Sequence, residues 1–308
     1  MHHSPSRDLA VRPQNRSLKQ PLAGWSKACL ALMAICTLAP PACPQEIGQA
    51  REVQTNAALT AARGHAHNDY VHDRPLLDAL ERNFASVEAD IFLKEGQLLI
   101  GHTQLELSAN RTLEGMYLQP LADWFRKHDS RTVRQAQPLI LLIDIKTEAA
   151  ATWEVLHPLL VKYRDLLSET NEGTFQPRAV TIVISGNRAG DEILAARPQL
   201  AGIDGRMSDL GGTRQSEDMP LVSDAWSKHF RWRGAGPMPA DERHRLGELV
   251  SQAHKEGRLV RFWGTPELES LWSELRGAGV DLIGTDDLPR LEKFLAQPPD
   301  LAPALKDR

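Results

Sequence analysis

Two short patterns of charged residues and a few histidines carry most of the chemistry this chain can do. Glu88 and Asp90 alternate with Val87, Ala89 and Ile91. On an extended strand, a spacing of two places both carboxylates on the same side. Two like charges a few ångströms apart repel in an apolar setting, so one keeps its proton or a cation sits between them. Oxygen ligands of this kind suit Mg²⁺ or Ca²⁺. The alternative is an exposed edge with two solvated acids, which the apolar flanks disfavour. Asp144 and Lys146 repeat the spacing at the end of the apolar run Leu139-Ile-Leu-Leu-Ile143. Asp144 is then a candidate third carboxylate, and Lys146 a point charge for a phosphate oxygen. A structural ion pair closing the strand is the plainer reading.

His67 and His102 each follow a strand-like run. One imidazole as base and one as acid would serve a phosphodiester cleavage near neutral pH. His65 lies two residues before His67. It either joins His67 as a metal pair or buttresses the strand end. His128, His157, His244 and His254 fall on helical patterns and read as packing or surface groups. Trp263 precedes Gly264-Thr265-Pro266 and offers either an apolar wall for a substrate or core packing. Asp286 and Asp287 stand where either can cap the last helix.

The elements that must position these groups alternate along the chain. Strand-like runs fall near 61–66, 86–93, 97–101, 139–145, 179–185, 201–205, 221–225, 259–263 and 281–285. Helical periodicity falls near 75–83, 119–128, 150–167, 188–196, 240–256, 266–276 and 288–296. Continuous apolar strands separated by helices imply a parallel sheet covered on both faces. About eight such units predict a single-domain α/β fold, a (β/α)8 TIM-type barrel. An open doubly wound sheet is the rival, but no glycine-rich fingerprint follows the first strand. Nearly every strand runs into a polar cluster, from His65-Ala-His-Asn-Asp69 to Gly284-Thr-Asp-Asp287. In a barrel those ends meet on the one face that carries catalysis.

Composition sets outer limits. Apolar residues make up 42% and charged residues 25%, ordinary globular values, and the net charge of -4 gives no basic surplus for nucleic acid. All three cysteines, Cys29, Cys36 and Cys43, lie near the start. The rest of the chain offers no disulfide, thiolate site or cysteine nucleophile. A basic lead (Arg7 to Lys27) and an apolar run from Ala28 to Ala39 read as an export signal over 1–43, with an uncleaved N-terminal membrane anchor as the plainer alternative, followed by a linker over 44–58 and a barrel over 59–300. The expected location is therefore periplasmic or extracellular. Pro40-Pro41-Ala42 is a poor lipoprotein ending, so a lipid on Cys43 is the lesser alternative.

The ordered set His67, Glu88-Ala-Asp90 and His102, with Asp144-Ile-Lys146 and Gly279-Val-Asp-Leu-Ile-Gly-Thr-Asp286, resembles the phospholipase-C-like phosphodiesterase superfamily. That superfamily includes the glycerophosphodiester phosphodiesterases. His65-Ala-His-Asn-Asp-Tyr70 is most similar to a branch with the fungal altered inheritance of mitochondria proteins and bacterial relatives. Ser185-Gly-Asn-Arg188, Asp204-Gly-Arg206 and Arg261-Phe-Trp-Gly-Thr-Pro266 add to it. The resemblance implies one Mg²⁺ or Ca²⁺ on Glu88, Asp90 and Asp144, with His67 and His102 as acid and base. Lys146, Asn68 and Trp263 would contact the phosphate or substrate, and His65, Asp69, Asn187 and Arg206 are further candidates. Glycerophosphodiesterases carry His-Arg-Gly where this chain has His67-Asn68-Asp69, so glycerol need not be the head group. The implied substrate is a small-molecule or lipid phosphodiester, taken by a monomer with peripheral membrane contact as an option. Two rivals stand beside it. One is a metal-dependent amidohydrolase or phosphatase barrel, which needs further histidines at later strand ends. The other is an exported phosphodiester-binding protein without catalysis.

Overall fold

The computed structural model describes residues 63–128 and 138–298. The expected export signal and linker lie outside the described residues. The strands are β1 (Arg63–Ala66), β2 (Ser86–Lys94), β3 (Gln97–Ile100), β4 (Leu139–Ile145), β5 (Glu169–Asn171), β6 (Thr174–Gln176), β7 (Val180–Gly186), β8 (Ala201–Gly205), β9 (Leu221–Ala225), β10 (Leu259–Trp263) and β11 (Leu282–Thr285). The helices are α1 (Leu77–Glu81), α2 (Gln119–Lys127), α3 (Ala149–Lys162), α4 (Gly190–Ala195), α5 (Trp226–His229), α6 (Ala240–Lys255), α7 (Glu269–Gly277) and α8 (Leu288–Leu295).

Eight parallel strands close into a barrel in the order β1, β2, β4, β7, β8, β9, β10, β11. Closure is made by β1, which pairs with β11 on one side and β2 on the other. Every barrel strand then has two neighbours and no edge is left open. β3 is the exception to parallel order. It folds back antiparallel on the far half of β2, Ile91 facing Ile100 and Lys94 facing Gln97.

Alternation sorts each strand into an outer and an inner face. Leu141, Ile143 and Ile145 of β4 join the large apolar layer that packs against the helices. Ile140 and Leu142, on the other face, join Val183, Leu221 and Leu282 in a second cluster within the barrel. Burying one such side chain contributes roughly 1.5–3 kcal/mol. The inner face then changes character along its length. Ile140 and Leu142 give way to Asp144 on the same side of the same strand. The barrel is thus plugged by hydrocarbon at one end and lined by charge at the other.

The helices follow the sequence pattern with local corrections. The expected helix over 150–167 stops at Lys162, and the chain turns so that Ser168 N–H donates to Val180 O at 2.7 Å. The short β5–β6 hairpin and α5 carry no long-range periodicity and were not expected from it. Two helix starts are capped by acids. Glu148 accepts from the N–H groups of Ala150 and Ala151, and Asp287 accepts from Arg290 N–H.

Candidate active site

Strand register brings the acidic pairs together. Asp90 on β2 sits opposite Asp144 on β4, and Asp144 opposite Ser185 on β7. Glu88, Asp90 and Asp144 each offer an oxygen within 4.8 Å of the others. Gly186 makes room for them. Its φ of 68° suits glycine, and a Cβ there would collide with Asp144 Oδ1 and Ile145 O.

The charges in this cluster are unequal in their support. Glu88 Oε2 accepts from His65 Nε2 at 2.9 Å and Arg261 Nη2 at 2.7 Å. Burial alone would raise the Glu88 pKa, but Arg261 and His65 outweigh it and hold the carboxyl well below the usual range. His65, fully buried, is pushed down to about 4 by burial and then by the Arg261 charge. Lys146 Nζ bridges Asp90 Oδ2 at 3.1 Å and Asp144 Oδ1 at 3.0 Å. Burial works to lower its pKa, yet Asp144 and Asp90 together raise it. Asp144 is raised, by burial first and in part by Asp90, with Lys146 opposing. Asp90 is 1% exposed, and its Oδ1 has no hydrogen-bond partner among the described residues. A bare buried carboxylate oxygen beside two more carboxylates fits a divalent cation with oxygen ligands.

Both candidate histidines stand at this mouth. His67, just past β1, meets Asp286 Oδ1 through Nδ1 at 2.8 Å. His102, past β3, meets Asp90 Oδ2 through Nδ1 at 3.1 Å. Their side chains are 38% and 58% exposed, so both rings are open to solvent. A carboxylate on Nδ1 orients an imidazole and leaves Nε2 for proton exchange. Beside His67 lies a cleft of about 390 Å³ lined by Arg261, Trp263, Glu267, Gly284 and Asp286 among others.

The remaining candidates separate clearly. Trp263 is half-exposed in that cleft. Arg206 reaches back to Asp204 Oδ2 at 2.8 Å, and Asp204 also accepts from Ser185 and Ser223. Asn68 adopts a left-handed backbone, and its amide contacts His67 Nδ1 at 3.3 Å and Tyr70 Oη at 2.8 Å. Its polar atoms are therefore engaged within the protein rather than aimed at a substrate. His65 is the buttress of the two readings open to it, because Nδ1 binds Ser86 and Nε2 binds Glu88. Asp69 and Asn187 are not brought to the site. Asp69 is buried under Leu76 N–H and Tyr117 Oη, and Asn187 donates to Thr147 O.

Three participants escape sequence reasoning. Asp286 reads as a helix cap, but Asp287 alone caps α8 while Asp286 faces His67. Arg261 carried a signal: a cation at an inward position between Val260 and Phe262 of an apolar strand. Tyr70 carried none, since a buried tyrosine after a strand usually packs.

Known phosphodiesterase families match two parts of the chain. Residues 53–199 match the family model described as AIM6-like phosphodiesterase domain, and residues 260–289 match the glycerophosphoryl diester phosphodiesterase family. Altered inheritance of mitochondria protein 6 of Eremothecium gossypii is 27% identical, over 93% of this chain and 81% of that protein. Its homolog in Arthroderma benhamiae is also 27% identical, over 73% of this chain and 81% of the relative. A crystal structure of a glycerophosphodiester phosphodiesterase from Parabacteroides distasonis aligns with a TM-score of 0.49 at 14% identity, over 77% of this chain and 97% of that one. The chain thus resembles the glycerophosphodiester phosphodiesterase-like superfamily and, within it, the AIM6-like phosphodiesterases.

Proposed function

We propose that the protein is a metal-dependent phosphodiesterase that cleaves a glycerophosphodiester, phospholipid or related diester by histidine acid–base catalysis. The observation that carries this reading is the cluster of Glu88, Asp90 and Asp144 with its bare Asp90 Oδ1, with His102 bonded to Asp90 and His67 at the end of the neighbouring strand β1. Glu88, Asp90 and Asp144 would hold one Mg²⁺ or Ca²⁺, which supplies Lewis-acid stabilisation of phosphate oxygens.

The chain's own groups do the rest. Lys146 places a cation beside Asp90 and Asp144, where it steadies a second phosphate oxygen. One histidine removes the proton of the attacking hydroxyl or water as the new P–O bond forms. The other protonates the leaving alkoxide as the old P–O bond breaks. Asp286 and Asp90 keep the two rings turned so that each works through Nε2. Trp263 forms an apolar wall of the cleft for the part of the substrate beyond the phosphate. The expected export of the chain would put this activity outside the cytoplasm.

The test is turnover of bis-p-nitrophenyl phosphate, glycerophosphodiesters, lysophospholipids and phosphoinositides. His67→Ala and His102→Ala are each expected to lower kcat at least about 10²-fold on the best substrate. A near-normal rate in either variant overturns the assignment.

A further inference from the structure

Tyr70 is 2% exposed, yet its hydroxyl is surrounded by polar atoms of the candidate site. Oη lies 2.8 Å from Asn68 Oδ1, 2.8 Å from Asp90 Oδ2 and 3.4 Å from His102 Nδ1. The Asn68 amide in turn lies 3.3 Å from His67 Nδ1. One buried hydroxyl therefore touches His102 directly. It also shares the Asp90 oxygen that His102 and Lys146 use.

The proton count at this point is restrictive. A tyrosine hydroxyl has one hydrogen and accepts with its lone pairs. A hydrogen bond to an ionised acceptor is the stronger choice, which favours giving that hydrogen to Asp90. The lone pairs of Oη then face His102, and a His102 that carries its proton on Nδ1 finds two acceptors there, Asp90 Oδ2 and Tyr70 Oη. A His102 protonated only on Nε2 would set its Nδ1 lone pair against both.

The geometry points to Tyr70 as a positioning residue that fixes the orientation and tautomer of His102. This inference rests on the histidine reading above. Tyr70 reaches no substrate atom itself, being buried beneath the two rings' anchors. Its effect passes through His102, and that makes it separable from a packing role. A tyrosine that only packed would be replaced by phenylalanine with little consequence for the chemical step.

The test is a double-mutant cycle on bis-p-nitrophenyl phosphate in the full chain. Tyr70→Phe is expected to lower kcat about 10-fold with KM changed less than about 2-fold, a part of the roughly 10²–10⁴-fold that a well-placed acid or base contributes. In a His102→Ala background the same change is expected to alter kcat less than about 2-fold. Equal losses in both backgrounds overturn the inference and leave His102 catalytic. A His102→Ala enzyme with normal turnover overturns the functional reading, and this inference with it. Imidazole ¹⁵N spectra give a second measurement without turnover. His102 is expected as the Nδ1–H tautomer in the wild type and as a mixture in Tyr70→Phe; an unchanged tautomer overturns the positioning role.

Discussion

The barrel encloses two buried acidic groups that invite comparison. One lies under β2 and β4, where Glu88, Asp90 and Asp144 face Arg261 and Lys146. The other lies under β8, where Asp204 faces Arg206, Ser185 and Ser223. Each keeps one bare carboxylate oxygen, Asp90 Oδ1 and Asp204 Oδ1, so a missing hydrogen bond does not tell them apart. Charge does. The first group sets three carboxylates against two cations, and the second sets one against one. Burial raises the Asp204 pKa, but its arginine and two hydroxyls settle it without outside help. The first group stays short of one positive charge, which is what the proposed cation would supply.

The largest expected effect breaks this comparison directly. Asp90→Asn is expected to lower kcat at least about 10²-fold, because Lys146 and His102 lose their shared anchor. Asp204→Asn is expected to stay within about 10-fold of wild type. Ca²⁺ or Mg²⁺ should raise the thermal midpoint of the wild type and of Asp204→Asn but not of Asp90→Asn. A midpoint shift that survives in Asp90→Asn would move the cation elsewhere. Removing metal with a chelator should abolish turnover, and either ion should restore it.

A second contrast concerns the cations. Arg261 is 4% exposed and bonded to Glu88, whereas the Arg206 side chain is 23% exposed. Removing the partner of a buried charge costs about 3–5 kcal/mol, so Arg261→Met should lose that much unfolding free energy in urea. Arg206→Met is expected to lose about 1–3 kcal/mol, the range for a charged hydrogen bond in a wetter setting. Equal losses would erase the distinction between the two groups.

A further expected effect, confined to a pH window, uses a third buried acid, Asp69. Burial pushes it up to about 6 from an ordinary 3.8, against the hydrogen bonds from Leu76 and Tyr117. A raised folded pKa contributes stability below about pH 4, and that contribution is lost as pH rises through 6. Over that window the wild type should lose up to about 3 kcal/mol relative to Asp69→Asn, at roughly 1.4 kcal/mol per pKa unit. Parallel stability curves from pH 4 to 7 would show that Asp69 keeps its ordinary titration.

The fold was legible because parallel barrel strands are short apolar runs with polar punctuation, such as Val180-Thr-Ile-Val-Ile184 before Ser185. The acids, Lys146 and both histidines were legible because the pairs share one strand and the rest stand at strand ends. Their supports were not, since they arrive from distant segments: Arg261 is 173 residues from Glu88. Asp69 misled for the opposite cause. It sits two residues after His67 in sequence, but the left-handed turn at Asn68 sends it inward to Leu76 and Tyr117.

The contact between His67 and Asp286 spans 219 residues, from the first barrel strand to the end of the last. At a synthesis rate of about 5–20 residues per second, those partners are made roughly 10–40 s apart. Once Lys146 is made, and for the rest of that interval, the growing chain holds its acids and its lysine but lacks the carboxylate that faces the first imidazole. On the proposed function, turnover would report that the ring of strands has closed, and a chain stopped before Asp286 would lack the anchor of its first imidazole.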